Sequence, residues 1–262
     1  MGRGRRAGRG PRRVEIAFGL TLVLAGCATP RALPPSAVPI RAEQAAELTG
    51  RWTAEWDAFQ GMRGAIDLTV RNRRGREHVA GLLLMAPTAL RLEVTTPFGL
   101  PALVATAGPD DITIFRVLDR QAQTARSSPA AVERWLGVAL PPATLIRLLV
   151  GNVPPPFDPR AVVVEDAPSP HLAWAQDGVR HRVWVTAEGR PARLMLDAAD
   201  GSSRLTADYE WSGAGGLLSV RLEAPDRDAE VIVRYLSAEY VENPPDAFRL
   251  ALPPDIPVQR LD

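Results

Sequence analysis

Residues 91–103 read RLEVTTPFGLPAL. Around the first half the chain alternates: Leu90, Leu92 and Val94 point one way, Arg91, Glu93 and Thr95 the other. That is the period of a half-buried strand. Pro97 has no N–H to give a ladder, so the strand ends before it. Gly99 and Pro101 then make a turn. This leaves Phe98 and Leu100, two large apolar residues, at the tip of a connection. Two readings are open. Either both side chains fold back onto the core, or they stand proud and touch a membrane or an acyl chain.

Outward from this stretch the same period recurs. Residues 65–70 place Ile66, Leu68 and Val70 on one face, and 72–75 is a glycine-closed hairpin turn. Residues 77–86 are almost continuously apolar; their length and flanking turns favour a strand. Strand signals follow at 103–106, 112–117 and 121–125, and again at 161–164, 172–176, 180–186, 192–197, 204–211, 217–224, 230–236 and 248–252. Before all of these, 41–48 predicts a short helix stopped by Gly50, after which Trp52, Ala54 and Trp56 alternate as a strand would. Two helices interrupt the strands. Ser128 caps the first, Pro129 opens it and Gly137 stops it. The second follows Pro141-Pro142 and is apolar over most of its circumference, so it should be covered on more than one side. About 11 antiparallel strands with inserted helices are too many for a small sandwich. They predict a mainly β fold: an incomplete antiparallel β-barrel with a helical lid over an apolar cavity. Candidates to line that cavity are Trp52, Trp56, Leu82 and Leu84 from the early segments and Trp135, Leu145 and Leu149 from the lid. Trp174 and Trp184 complete the set, and ordinary core packing is the competing reading at each position.

The N-terminus has a different character. Six arginines fall within residues 1–13, and the apolar run 16–25 is too short for the about 20 residues of a membrane span. This is the build of a secretory signal peptide. It ends in Leu24-Ala25-Gly26-Cys27, the form of a bacterial lipobox, in which the cysteine becomes the lipidated first residue. Arg12-Arg13 is only a weak twin-arginine signal, since Glu15 follows and the downstream pattern is missing. Cys27 is the single cysteine of the chain, so no intrachain disulfide and no cysteine metal site can form. Residue 28 is Ala rather than Asp, which by resemblance to known sorting rules favours the outer membrane. The expected layout is a signal peptide at 1–26, a lipidated cysteine with a proline-rich tether at 27–44, one domain at 45–255 and a tail at 256–262.

Enzyme chemistry finds little footing. The three histidines, His78, His171 and His181, lack metal-ligand spacing. No G-x-S-x-G, H-E-x-x-H or glycine-rich phosphate loop is present, and Asp110-Asp111 reads as a turn. No catalytic residue, metal or cofactor is expected. Nucleic acid is not an expected partner either. Removing residues 1–26 takes away six Arg and one Glu and moves the formal charge from +1 to about −4.

Taken together, these residues resemble the bacterial LolA/LolB lipoprotein-localisation family, most closely its outer-membrane receptor branch, LolB. Three segments carry the resemblance: 24–27; 92–100 (LEVTTPFGL), similar to the family's strand followed by Pro-hydrophobic-Gly; and 136–154 (LGVALPPATLIRLLVGNVP), similar to its helix-loop-helix leading into Gly-x-x-Pro. The closing FRLALP at 248–253 is also similar. The resemblance spans most of 45–255. It implies a half-barrel that holds acyl chains of lipoproteins, taken from a periplasmic LolA-type carrier. It also implies a loop, Pro97-Phe98-Gly99-Leu100, whose Phe98 protrudes and helps hand them to the inner leaflet of the outer membrane. Family receptors more often have Leu where Phe98 stands. A monomer without cofactors is expected. The alternative is a structural or scaffolding envelope lipoprotein that reuses the fold to bind another lipid or protein. The first reading predicts a hollow half-barrel with Phe98 exposed; the second predicts a filled core with Phe98 tucked inward.

Overall fold

The computed structural model describes residues 40–96, 98–166 and 169–261. The signal segment, Cys27 and the tether up to residue 39 lie outside the described residues, as does Pro97. The chain enters the fold through α1 (Ala42–Asp57). A six-strand meander follows: β1 (Met62–Asn72), β2 (Gly75–Ala86), β3 (Ala89–Thr95), β4 (Pro101–Ala107), β5 (Asp111–Arg116) and β6 (Gln121–Arg126). The helices α2 (Pro129–Leu136) and α3 (Pro142–Leu149) come next. A second meander runs β7 (Val163–Glu165), β8 (His171–Gln176), β9 (Val179–Val185), β10 (Pro191–Ala198), β11 (Ser203–Trp211), β12 (Leu217–Ala224) and β13 (Ala229–Tyr235). Two short strands, β14 (Glu239–Tyr240) and β15 (Val258–Arg260), complete the fold.

All of these strands join one open sheet in the order β15-β6-β5-β4-β3-β2-β1-β13-β12-β11-β10-β9-β8-β7, with β14 paired to the start of β1. Among the described residues the architecture is mainly β with three helices and an unclosed sheet. Every ladder is antiparallel except that of β15 on β6. Within each meander neighbours in sequence are neighbours in space. The one long-range ladder between the two meanders is the seam β1·β13, where Ile66 faces Tyr235 and Val70 faces Val231. Consecutive turns therefore fall alternately at the two ends of the sheet. One end carries the turns 73–74, 96–100, 117–120 and 225–228. The other carries 58–61, 187–190, 212–216 and the start of β14.

The strand readings hold through both meanders, except that Ala161 closes a 3-10 turn and the strand expected at 161–164 is β7, Val163–Glu165; two further segments differ. Residues 51–57 are helix, not strand: α1 runs straight through Gly50. Ala45, Thr49, Trp52 and Trp56 recur at helical spacing, and Trp52 is buried to 1 % exposure. Burying that indole outweighs the about 1 kcal/mol that a helical glycine costs, and Gly50 itself sits on the exposed side. Residues 248–252 are not a strand either. A 3-10 turn, Pro245–Phe248, leads into extended chain, and the last strand is β15, within the expected tail.

Helices and sheet share one apolar core. Trp52 from α1, Val132 from α2, and Leu145, Ile146, Leu148 and Leu149 from the lid pack on the same sheet face as Ile66, Leu83, Leu172, Leu194, Val220 and Val233. Four side chains of α3 are buried, as an all-round apolar helix requires. Tyr235 Oη donates to Leu149 O at 2.6 Å, satisfying one of the carbonyls that every helix end leaves open. Burial pushes the Tyr235 phenol well above its usual range.

Candidate functional site

Two features stand out, and they lie at opposite ends of the sheet. The first is the turn between β3 and β4. Thr96 N–H donates to Leu100 O at 2.8 Å, Gly99 N–H to Thr96 O at 2.9 Å and Leu100 N–H to the Thr96 hydroxyl at 3.2 Å. Gly99 takes φ +77°, which a side chain would disfavour. The turn is thus closed by its own hydrogen bonds, and Phe98 is 90 % exposed and Leu100 59 % exposed. Neither folds back onto the core.

The second is a cleft of about 660 Å³ beyond the C-terminal ends of α1 and α3. Aromatic rings form its walls. Trp56 stacks on Phe59 with centroids 5.4 Å apart, and Phe59 meets Tyr240 edge-on at 6.5 Å. Trp211 stands opposite, its Nε1 donating to Pro191 O at 2.7 Å, with the Arg190 guanidinium over its ring at 5.3 Å. The Arg147 guanidinium lies 4.3 Å over Trp56. Burial pulls its pKa down to about 10, so it stays charged at neutral pH. Gly151 turns the chain out of α3 at φ +79°, where a Cβ would come within 2.5 Å of the Trp211 ring. That close approach lets Asn152 reach the cleft. Its Nδ2 donates to Trp52 O at 2.9 Å, while its buried Oδ1 has no partner. Glu55 and Glu242 border the opening.

Of the nine cavity candidates, Trp56 is the one that lines this cleft. Trp52, Leu145, Leu149 and Trp174 are buried in the continuous core, and Trp135 packs partly against it. Leu82 and Leu84 take the opposite parity to the one expected. Leu83 and Met85 face the core, whereas Leu82 is 40 % exposed on the other face, since it pairs with Glu93 while Leu83 pairs with Leu92. Trp184 likewise sits on the face of β9 away from the core residues Val183 and Val185. It stacks on His171 at 4.7 Å and donates to the Ser169 hydroxyl. The histidines go elsewhere. His181 stacks on Trp174 at 5.0 Å and is pushed below its ordinary pKa by burial, and His78 Nδ1 is 3.0 Å from the Thr69 hydroxyl. His171 Nε2 sits 3.2 Å from Glu165. Burial alone would raise the Glu165 carboxyl, but Arg180 and His171 outweigh it and hold it below its usual range.

Phe59, Arg147, Asn152, Trp211 and Tyr240 are not among the residues the sequence singles out. Only Asn152 had a local signal, since it follows the glycine that ends an apolar helix. The others meet through contacts between segments far apart in the chain.

The sequence matches no family model and no curated protein. The fold does have likenesses. A domain provisionally described as an outer membrane lipoprotein-sorting protein, from Vibrio parahaemolyticus, superposes with TM-score 0.51 at 11 % identity, over 79 % of this chain and 97 % of that one. A DUF1329 family protein from Desulfovibrio piger gives TM-score 0.51 at 10 % identity, over 79 % and 96 %. A LolA superfamily protein from Nitrosomonas europaea gives 0.49 at 12 % identity, over 80 % and 98 %. What this chain shares with these proteins at such identities is the fold.

Proposed function

We propose that the protein is a lipid-anchored envelope receptor. It accepts acyl chains of lipoproteins from a periplasmic carrier and passes them to the outer membrane. The observation that carries this reading is Phe98, held 90 % exposed on a hydrogen-bonded turn. Exposing a phenyl ring to water at a loop tip forgoes about 1.5–3 kcal/mol of burial, which a bilayer interface returns. That gain is too small to anchor the domain by itself, and Cys27, lipidated at the lipobox, supplies the anchor. The aromatic cleft is the candidate seat for an acyl chain, since its about 660 Å³ falls in the range of small-molecule sites. The reading needs binding and release, not bond-making, and assigns no catalytic residue.

A second reading has one observation in its favour. The sheet face beneath the helices is filled by Trp52, Leu145, Leu149 and Trp174 rather than hollow, as a scaffolding lipoprotein on this fold would have it. Complementation separates the two. A host is depleted of its own lipoprotein receptor, this chain is expressed, and a reporter lipoprotein is followed through membrane fractions. Rescue by wild type and its loss with Phe98→Glu, at equal protein levels, is the expected result. A folded, outer-membrane-located wild type that rescues nothing would move the assignment to the scaffold.

A further inference from the structure

The end of the sheet that carries Phe98 has a second component with a different chemistry. The β1–β2 hairpin turns at Arg73-Arg74, and both side chains are exposed. Beside the hairpin, α2 and the 3-10 turn Pro225–Arg227 close a cleft of about 320 Å³ lined by Asn72, Arg73, Arg74, Glu133, Arg134 and Arg227. Four arginines thus face two carboxylates, Glu133 in the lining and Asp226 beside it. Arg227 is already answered by two carboxylates, with Nη1 2.7 Å from Glu133 Oε1 and Nε 3.2 Å from Asp226 Oδ2. Arg134 Nη1 donates to Leu261 O at 2.7 Å, a neutral acceptor, and no carboxylate among the described residues pairs with it. The cleft is built, not incidental. Gly137 ends α2 at φ +80°, where a Cβ would press within 2.7 Å of the Ala229 Cβ and 3.5 Å of the Asn72 Cβ. Only a glycine lets the helix end seat against the hairpin tip.

The same end has a third part. The turn joining β5 to β6 neighbours the Phe98 turn, because Leu103 pairs with Arg116 and Val117 N–H donates to Ala102 O at 2.9 Å. It presents Leu118 at 65 % exposure. Two adjacent turns therefore offer apolar tips, and the hairpin two strands over offers Arg73 and Arg74, exposed and without a carboxylate partner among the described residues. The domain that bears them is acidic once residues 1–26 are gone. A local basic cleft on an acidic body selects anionic partners and orients the body towards them. Apolar tips beside arginines fit a phospholipid leaflet, whose phosphates accept guanidinium hydrogen bonds while its acyl region takes the side chains.

We propose that this end of the sheet is a membrane-docking surface for anionic phospholipids, with Leu118 entering the bilayer beside Phe98 and Arg73, Arg74 and Arg134 engaging lipid phosphates. The proposal rests on the reading that Phe98 meets a bilayer and adds the second apolar contact and the lipid charge it prefers. It is tested on the full lipidated protein reconstituted into vesicles. Leu118→Cys and Phe98→Cys each receive an environment-sensitive dye, since Cys27 is consumed by lipidation. Emission is compared in neutral phosphatidylcholine and in phosphatidylcholine with phosphatidylglycerol, at low and high salt. Both dyes should report an apolar setting in the anionic vesicles, and salt should weaken it. Arg73→Glu combined with Arg74→Glu should lower the docking constant at least about 25-fold, at about five-fold per arginine. If the Phe98 dye is embedded and the Leu118 dye is in water, the two-turn surface is wrong while the Phe98 reading stands. If both embed equally in neutral and anionic vesicles, the arginine role is wrong. If neither embeds in any vesicle, the Phe98 reading itself fails.

Discussion

The two ends of the sheet solve different problems with similar side chains. At the cleft end, aromatic rings are packed against one another and against buried backbone: Trp56 on Phe59, Trp211 against Gly151, Asn152 on Trp52. At the tip end, Phe98 and Leu118 are largely exposed, and the turns beneath them are held by backbone hydrogen bonds. Rings that contribute to folding are therefore separable from a ring that does not. A substitution at one end should register in stability, and one at the other should register only in membrane contact.

That contrast can be broken by experiment. The largest effect is expected where the cleft joins the core: Trp52→Ala should cost about 3–5 kcal/mol, read as a shift in the denaturation midpoint at constant slope. A loss below 1 kcal/mol would mean that α1 is not integral to the core. Next, Gly151→Ala should cost about 1–3 kcal/mol, because it combines a left-handed backbone with a collision against Trp211. If Gly151→Ala is neutral, the cleft wall is not rigid. A third effect depends on pH. Burial holds His181 below its ordinary pKa of 6.5, so the unfolded chain takes up a proton that the folded chain refuses. Stability should therefore fall as pH drops below 6.5. His181→Gln should flatten that part of the profile, and an unchanged slope would remove His181 as its cause. The smallest effect sharpens the contrast most. Phe98→Glu should change stability by no more than about 0.5 kcal/mol while abolishing reporter delivery. A large loss of stability would mean that Phe98 belongs to the fold and not to a surface.

The sequence was readable wherever one face was apolar and the other polar. β1 and β3 are examples, since Ile66, Leu68 and Val94 point to one side between Asp67, Glu93 and Thr95. It failed where both faces are apolar. In LLLM at 82–85 and VWV at 183–185, alternation carries no parity, and only the neighbouring strand decides which residue turns inward. α1 is ambiguous in the sequence for a related reason. Trp52 and Trp56 satisfy a period of two and a helical i,i+4 spacing equally, and the arbiter, Ala45 with Thr49 on the same stripe, lies upstream of Gly50. The protruding turn was legible because Phe98 sits between residues that force a turn. The aromatic cleft was not, because it gathers residues from positions 55 to 242 and its shape exists only once both meanders have paired and α3 has packed on them.

The seam between β1 and β13 sets the order in which this protein can be made. Each meander needs only local pairings, which form early as the chain is delivered N-terminus first. β1 pairs with β2 at once, but its other edge must wait for residues 229–235. Until then the first meander carries an unprotected strand edge, with Ile66, Leu68 and Val70 beside it, into the compartment where it folds. Joining the halves closes a loop of well over a hundred residues, so this late docking step, rather than any hairpin, should limit the folding rate and mark where a slow folder aggregates.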